Sequence, residues 1–351
     1  MRCFHLARFG QPLLAVDCPL PEPTGTQVLL QVLAAGVCHS DLHVQDGQID
    51  LGNGQFASFE ARCKLPRTLG HETTGRITAA GPAASGVRLG STALVYAWIG
   101  CGSCHACLQG DENHCADSRF IGVSRDGGFA EHIVVPHPRY LVDYGTVPQA
   151  LAATYTCSGI TAYSALKKLR DHVDVGDHFL IIGAGGVGGQ AVHIAPAYLG
   201  GKMLVADIDG QKRAHAGEIG AVGTVDNNAA DALQQVLQQS GGGVAGAIDF
   251  VGSPKTMEFG INALRKGGKL VMVGLYGGAA SVSTVLFPFK MMSIEGSYVG
   301  TLQDLKELLE LGKAGKVAPI PIETRSAERA TESLADLKTG GKVRGRVVMT
   351  H

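Results

Sequence analysis

The sequence predicts an α/β fold in two parts: a mostly antiparallel, barrel-like β unit, and a doubly wound parallel sheet. Three observations predict it. Residues 1–155 read as short apolar segments broken by Gly and Pro. From about residue 158, apolar strands alternate with helical runs of ten or more residues, which is the grammar of βαβ units. The chain is 351 residues long, which suits about two domains.

In order along the chain, residues 27–38, 75–82, 91–98 and 129–136 read as strands, with turns such as those at 81–86 and 125–128 between them. Residues 178–182 form an apolar strand, followed by a glycine turn and a helix to about 200. Residues 202–209 and 210–221 repeat strand and helix, as do 222–226 with 229–240, and 245–252 with 254–267. Residues 268–278 end this alternation on a glycine-rich turn. A further helix follows at 302–315, and the short strand at 345–350 is expected to return to the first unit. The expected division is residues 1–157 with 298–351 as one discontinuous domain and 158–297 as the other. The apolar run from Phe287 to Val299 is expected to be a strand suited to a subunit contact.

Composition excludes several classes. Hydrophobic residues make up 45% and charged residues 17%, too apolar for a disordered chain. The net charge of −1 offers no basic field for nucleic acid. No apolar run is long enough for a membrane span, and the first residues lack the apolar core of a signal peptide, so a cytoplasmic protein is expected.

Gly183-Ala184-Gly185-Gly186-Val187-Gly188 fits G-x-G-x-x-G, after a strand and at the start of a helix. Gly183 permits the tight turn, Gly185 a close backbone approach to a pyrophosphate, and Gly188 close helix–strand packing. The helix N-terminus supplies free N–H groups for the phosphates. Asp207 ends the next strand, 24 residues after Gly183. A carboxylate there binds the adenosine ribose and repels a 2′-phosphate, which favours NAD over NADP. Lys212 is a candidate to help hold the ribose. Val273, Gly274 and Leu275 end a strand at the sheet's carboxyl edge, where backbone can meet the nicotinamide.

Cys101, Cys104, Cys107 and Cys115 fall within fifteen residues of one another. Four thiolates satisfy tetrahedral zinc and leave no open position, so the lobe reads as a structural metal site; an iron–sulfur cluster and two disulfides are the alternatives. His105 and His114 lie inside the lobe and read as surface residues. Cys3, Cys18 and Cys63 carry no assigned chemistry and read as free thiols.

A second set is dispersed: Cys38 in Cys-His-Ser-Asp, His71 in Gly-His-Glu, and Cys157 in Thr-Cys-Ser-Gly. These motifs, the cysteine lobe and the G-x-G-x-x-G turn occur in that order. Together they resemble the zinc-dependent medium-chain alcohol dehydrogenases over nearly the whole chain. The resemblance implies a GroES-like β-barrel catalytic domain and a Rossmann domain, with NAD and two zinc ions per subunit. It implies Cys38, His71 and Cys157 as ligands of a catalytic zinc with one open position, and Glu72 beside it, either approaching the metal or held in an ion pair. It further implies that Asp41 orients His71, that Ser40 and His43 relay the substrate proton, that His39 and Arg346 reach the cofactor phosphates, and that Trp98 lines the substrate cleft. Trp98 as a core anchor is the alternative.

Residues 47–63 exceed the usual spacing between the first two ligand motifs and are expected to form a loop at the active-site mouth. This stretch, Trp-Ile-Gly-Cys-Gly at 98–102 and His-Pro-Arg-Tyr-Leu-Val-Asp at 137–143 resemble a branch that oxidises ω-hydroxy acids such as 6-hydroxyhexanoate. The substrate implied is a primary or slender secondary alcohol, with an ω-hydroxy acid or a cyclic or aromatic alcohol as candidates. A polyol- or formaldehyde-type dehydrogenase and a non-catalytic NAD- and zinc-binding redox sensor are the rival readings. A homodimer or homotetramer is expected, with no nucleic-acid or membrane partner.

Overall fold

The computed structural model describes residues 1–339 and 345–351. Its second half is built on six parallel strands. Their spatial order is Gly223–Val225, Lys202–Ala206, His178–Ile182, Val244–Asp249, Leu264–Met272 and Ser293–Gly296. In chain order this is 3-2-1-4-5-6, so the strand order reverses between His178–Ile182 and Val244–Asp249. In doubly wound sheets ligands bind at such a switch point, outside the carboxyl ends of the strands. The two central strands are buried almost throughout, as strands covered by helices on both faces must be.

The first half forms a seven-stranded sheet around Val28–Gly36. That strand pairs antiparallel with Glu72–Ala80, His132–Val135 and Arg346–Thr350. The C-terminal strand thus lies beside a strand more than three hundred residues earlier, and Ile322–Ser326 pairs parallel with it. Helix Leu302–Lys313 runs between the two sheets' chain segments. Thr301 caps it by accepting from Asp304 N while the Asp304 carboxylate accepts from Thr301 N. Leu305, Leu308 and Leu309, at helical spacing, are fully buried. One contiguous core runs from Phe4 through Tyr155 and Leu166 to Ile181, so both halves share packed side chains.

Three expectations change. Residues 264–267, read as the end of a helix, instead begin strand Leu264–Met272. Residues 48–58 form a β-hairpin rather than a loop, Gln48–Gly52 with Gln55–Ser58. Its turn places Gly52, Asn53 and Gly54 all at positive φ, which Gly and Asn tolerate best. The run from Phe287 to Val299 is not one strand: Leu286–Lys290 is a short helix around Pro288, and only Ser293–Gly296 is extended. Proline lacks the N–H a ladder needs, so the extended stretch begins beyond it. Ser293–Gly296 pairs on one side only, at the edge of the parallel sheet.

Candidate active site

Cys38 sits where strand Val28–Gly36 hands over to helix His39–Asp46, as the helix N-cap. Asp41, one turn in, accepts from Cys38 N at 3.0 Å, from Gly70 N at 3.2 Å and from His71 Nδ1 at 3.1 Å. A carboxylate only accepts, so His71 Nδ1 carries the proton and Nε2 is left with its lone pair. His71 Nε2 is buried and has no hydrogen-bond partner among the described residues. An orphaned buried nitrogen is costly unless a ligand satisfies it.

Cys157 comes from a different local device. Helix Gln149–Thr154 continues into a single π-helical turn, Tyr155–Gly159, before helix Ile160–Leu169. Such turns insert a residue into the helix and re-aim its side chains. Cys157 Sγ lies 3.8 Å from Cys38 Sγ, and donor atoms of Cys38, His71, Glu72 and Cys157 all lie within 4.8 Å of one another, every one buried. The Cys157 contact, with His71 behind it, draws the Cys38 thiol well below its ordinary pKa. The same contact, with burial, pushes Cys157 well above. Burial opposes a charge on the His71 ring, while the Asp41 carboxylate and then Cys38 favour one and raise its pKa; a metal at Nε2 would take the place of that second proton. The donor set of two thiols and one unpartnered imidazole fits zinc.

Glu72 is fully buried and forms an ion pair with Arg346. Ser158 N donates to its other oxygen at 3.3 Å. Burial pushes the Glu72 carboxyl up, and the Arg346 guanidinium works against that. Arg346 also faces the glycine turn: its Nη1 lies 2.9 Å from where a Cβ on Gly186 would sit.

Helix His39–Asp46 also carries Ser40 and His43, three residues apart and therefore on one face. His43 is half-buried, and desolvation, then His39, holds it below the ordinary histidine value. His39 lies at the helix start; burial lowers its pKa, Cys38 works against that, and the Arg346 and Lys212 charges lower it further.

Trp98 is buried at 3% exposure, and its Nε1 donates to Thr156 O at 2.7 Å. Its ring lies 5.3 Å from His71, 5.1 Å from Phe120 and 6.0 Å from Tyr298. It is therefore both a core anchor and the wall behind the metal-ligand cluster. Arg62, just past the hairpin, is exposed and donates to Ser118 at 3.4 Å.

The glycine turn fits a dinucleotide. Gly183 has φ +82°. Nothing lies within 4 Å of a Cβ built on Gly185, which leaves room for phosphate. A Cβ on Gly188 would meet Gly183 O at 1.7 Å, so only glycine packs there. Helix Gly186–Tyr198, starting with Gly186 and Val187, begins at this turn. Asp207 accepts from Ala184 N at 2.7 Å and Asp209 N at 2.8 Å. Lys212 is exposed on helix Gly210–Ile219. Val273 N donates to Asp249 O at 2.9 Å, and Leu275 is 40% exposed beyond it.

Three residues of this region escaped the sequence reading. Arg213 donates to Asp207 O at 2.7 Å and fixes the acidic turn. Asp249 accepts from Val251 N and Gly252 N, shaping the loop beside the switch point. Glu112, in the cysteine lobe, accepts from Gly100 N at 2.7 Å and from Tyr140, and pairs with Arg139. In that lobe the Cys104–Cys107, Cys104–Cys115 and Cys101–Cys107 sulfurs lie 3.5, 3.7 and 3.9 Å apart, with no disulfide. His105 and His114 point outward.

Residues 24–146 match the model of the alcohol dehydrogenase GroES-like domain, and residues 186–314 that of the zinc-binding dehydrogenase domain. The chain is 36% identical over 351 residues to an NAD-dependent alcohol dehydrogenase of Sulfurisphaera tokodaii, covering 99% of each. It is also 36% identical to one of Saccharolobus solfataricus, again over 99% of each. Among solved structures, an alcohol dehydrogenase of Aeropyrum pernix superposes with a TM-score of 0.90 at 31% identity, covering 100% of both chains.

Proposed function

The chain belongs to the zinc-dependent medium-chain alcohol dehydrogenases and is an oxidoreductase that uses NAD and zinc, and on that premise we propose that it oxidises primary or slender secondary alcohols, ω-hydroxy acids foremost, at the Cys38–His71–Cys157 cluster. The observation that carries this reading is the buried, unpartnered His71 Nε2 beside two sulfurs 3.8 Å apart. Cys38, His71 and Cys157 would hold one zinc, and Cys101, Cys104, Cys107 and Cys115 the other. Bound zinc supplies Lewis acidity at the alcohol oxygen, and bound NAD is the hydride acceptor.

The chain's own part is positioning and proton transfer. Asp41 keeps the His71 ring oriented and in one tautomer. Ser40 takes the hydroxyl proton as it gives its own onward, and His43, whose pKa is lowered by desolvation and then by His39, accepts that proton and releases it to solvent. Gly183, Gly185 and Gly188 admit the pyrophosphate, Asp207 takes the ribose hydroxyls with Lys212 beside it, and Val273 and Leu275 meet the nicotinamide. Trp98, Phe120 and Tyr298 form an aromatic wall that favours slender substrates. We assign the carboxylate of an ω-hydroxy acid to Arg62, an exposed cation just past the hairpin that donates to Ser118 at 3.4 Å.

The pairing of Arg346–Thr350 with Val28–Gly36 supports residues 1–157 and 298–351 as one domain and 158–297 as the other. The one-sided strand Ser293–Gly296, with Phe289 and Met291 exposed nearby, supports a homo-oligomer.

The test is a substrate panel read by NADH formation, with Arg62→Ala as the contrast. A charge-assisted contact of about 1.5–3 kcal/mol predicts a loss of roughly tenfold or more in kcat/KM for an ω-hydroxy acid. The matching plain alcohol should be unaffected. Equal losses on both would remove Arg62 from the account, and no turnover of any alcohol would remove the substrate assignment.

A further inference from the structure

We propose that Cys3, His5 and Cys18 form a third metal site, taking a zinc ion, separate from the two sites above. Strands Arg2–Leu6 and Leu14–Asp17 pair antiparallel, with Cys3 opposite Val16 and His5 opposite Leu14. Cys3 and His5, two residues apart on a strand, project from the same face. The ladder continues one step past the second strand: Cys18 N donates to Met1 O at 2.9 Å. This brings Cys18 alongside the first strand, where its Sγ lies 3.5 Å from His5 Nε2. The three donor atoms all lie within 4.8 Å of one another.

The chemistry of the set is specific. Two thiols and an imidazole are the ligands zinc takes, and three protein ligands leave a fourth position for water. With zinc–ligand bonds of roughly 2.0–2.3 Å, the edges of a tetrahedral site measure about 3.3–3.8 Å. The Cys18–His5 separation of 3.5 Å matches that edge, as do the Cys104–Cys107 and Cys104–Cys115 separations of 3.5 and 3.7 Å in the four-cysteine lobe. Cys3 is buried, whereas His5 and Cys18 are partly exposed, so an ion can enter from solvent and be held from below.

The position gives the site a structural consequence. The strand that carries Cys3 and His5 pairs with Arg67–Thr68, which leads straight into Gly70 and His71. Phe4 N donates to Phe129 O, and Phe129 N to Leu69 O, both at 2.9 Å. The Phe129 ring fills the space beside Gly70, where a Cβ would meet it at 2.4 Å. An ion that pins Cys18 to the first strand therefore stiffens the support of the His71 loop, without touching substrate.

The experiment compares zinc content of the purified full-length enzyme with that of His5→Ala and Cys18→Ser, all equilibrated with the same free zinc. Both substitutions fall at partly exposed positions. Each variant should carry one zinc fewer per chain than the parent, with turnover within about twofold, as expected for a substitution outside the active centre. On the parent alone, added zinc should protect Cys3 and Cys18 from alkylation, read by peptide mass mapping, and should raise the melting temperature. Equal zinc content in parent and variants, or Cys3 and Cys18 alkylated at the same rate with and without zinc, would overturn the proposal. So would recovery of Cys3 and Cys18 as a disulfide from zinc-equilibrated, reduced protein.

Discussion

Arg346 closes a buried ion pair with Glu72, and the same guanidinium lies against Gly186 of the glycine turn. One side chain therefore links the metal-ligand cluster to the dinucleotide turn. Removing one partner of such a pair strands the other charge away from water, at a cost of about 3–5 kcal/mol. Glu72→Gln should lower the melting temperature accordingly and weaken NAD binding, since Arg346 loses the group that holds it. Glu72→Gln combined with Arg346→Met should regain part of the stability. A melting temperature unchanged by Glu72→Gln would contradict this linkage.

The pH dependence follows from His43. Desolvation, then His39, places its pKa below the ordinary 6.5. In the proposed relay, alcohol oxidation needs the neutral His43 ring to accept a proton. The kcat/KM for oxidation should therefore stay flat down to the ordinary histidine value and decline only below it, as His43 protonates. His43→Gln should cost on the order of a hundredfold and abolish that acid limb. An unchanged limb in the variant would assign it to another group.

The proposed role of Asp207 is to set cofactor choice. Its oxygens are anchored by Ala184 N and Asp209 N, which fixes the negative charge beside the glycine turn; on the proposed reading that charge faces the 2′ position of the ribose. Like charges juxtaposed cost several kcal/mol. Asp207→Asn keeps an acceptor and removes the charge, and should lower the NAD:NADP ratio of kcat/KM by about tenfold or more. A ratio that does not move would exclude the role.

The hairpin at 48–58 touches the turn that follows Leu264–Met272. A Cβ on Gly52 would lie 2.3 Å from Ala279 N, and one on Gly277 would lie 2.6 Å from Asp50 O. Gly52 also has φ +83°. Gly52→Val should cost about 1–3 kcal/mol and raise KM for NAD more than KM for alcohol, because the displaced turn carries Leu275. Equal KM values in parent and variant would show the contact to be incidental.

The features legible in the sequence are those encoded by contiguous residues. Gly183 to Gly188, Asp207 and the cysteine lobe each declare themselves by spacing, and the alternation after residue 158 declares the parallel sheet. What was not legible depends on chain segments that meet only after folding. The π-helical turn that aims Cys157 has no local signature, and Asp41's three donors come from residues 38, 70 and 71. Glu112 reaches residues 100, 139 and 140 in the same way. Cys3, His5 and Cys18 match no ligand spacing because strand pairing, not sequence proximity, assembles them. The hairpin is a different case: Asn53-Gly54 is a standing turn signal inside what reads as a surplus loop.

The most direct test of the account pairs zinc content with turnover in Cys38→Ser and Cys104→Ser against the parent. Cys38→Ser should lose one zinc per chain and still bind NAD. Its kcat/KM should fall on the order of a thousandfold, since the Lewis acid supplies several kcal/mol of transition-state stabilisation. Cys104→Ser should also lose one zinc, but show its loss in melting temperature rather than in chemistry. A Cys38→Ser enzyme with parental zinc content or parental turnover would contradict the assignment of Cys38, His71 and Cys157 as the catalytic metal site.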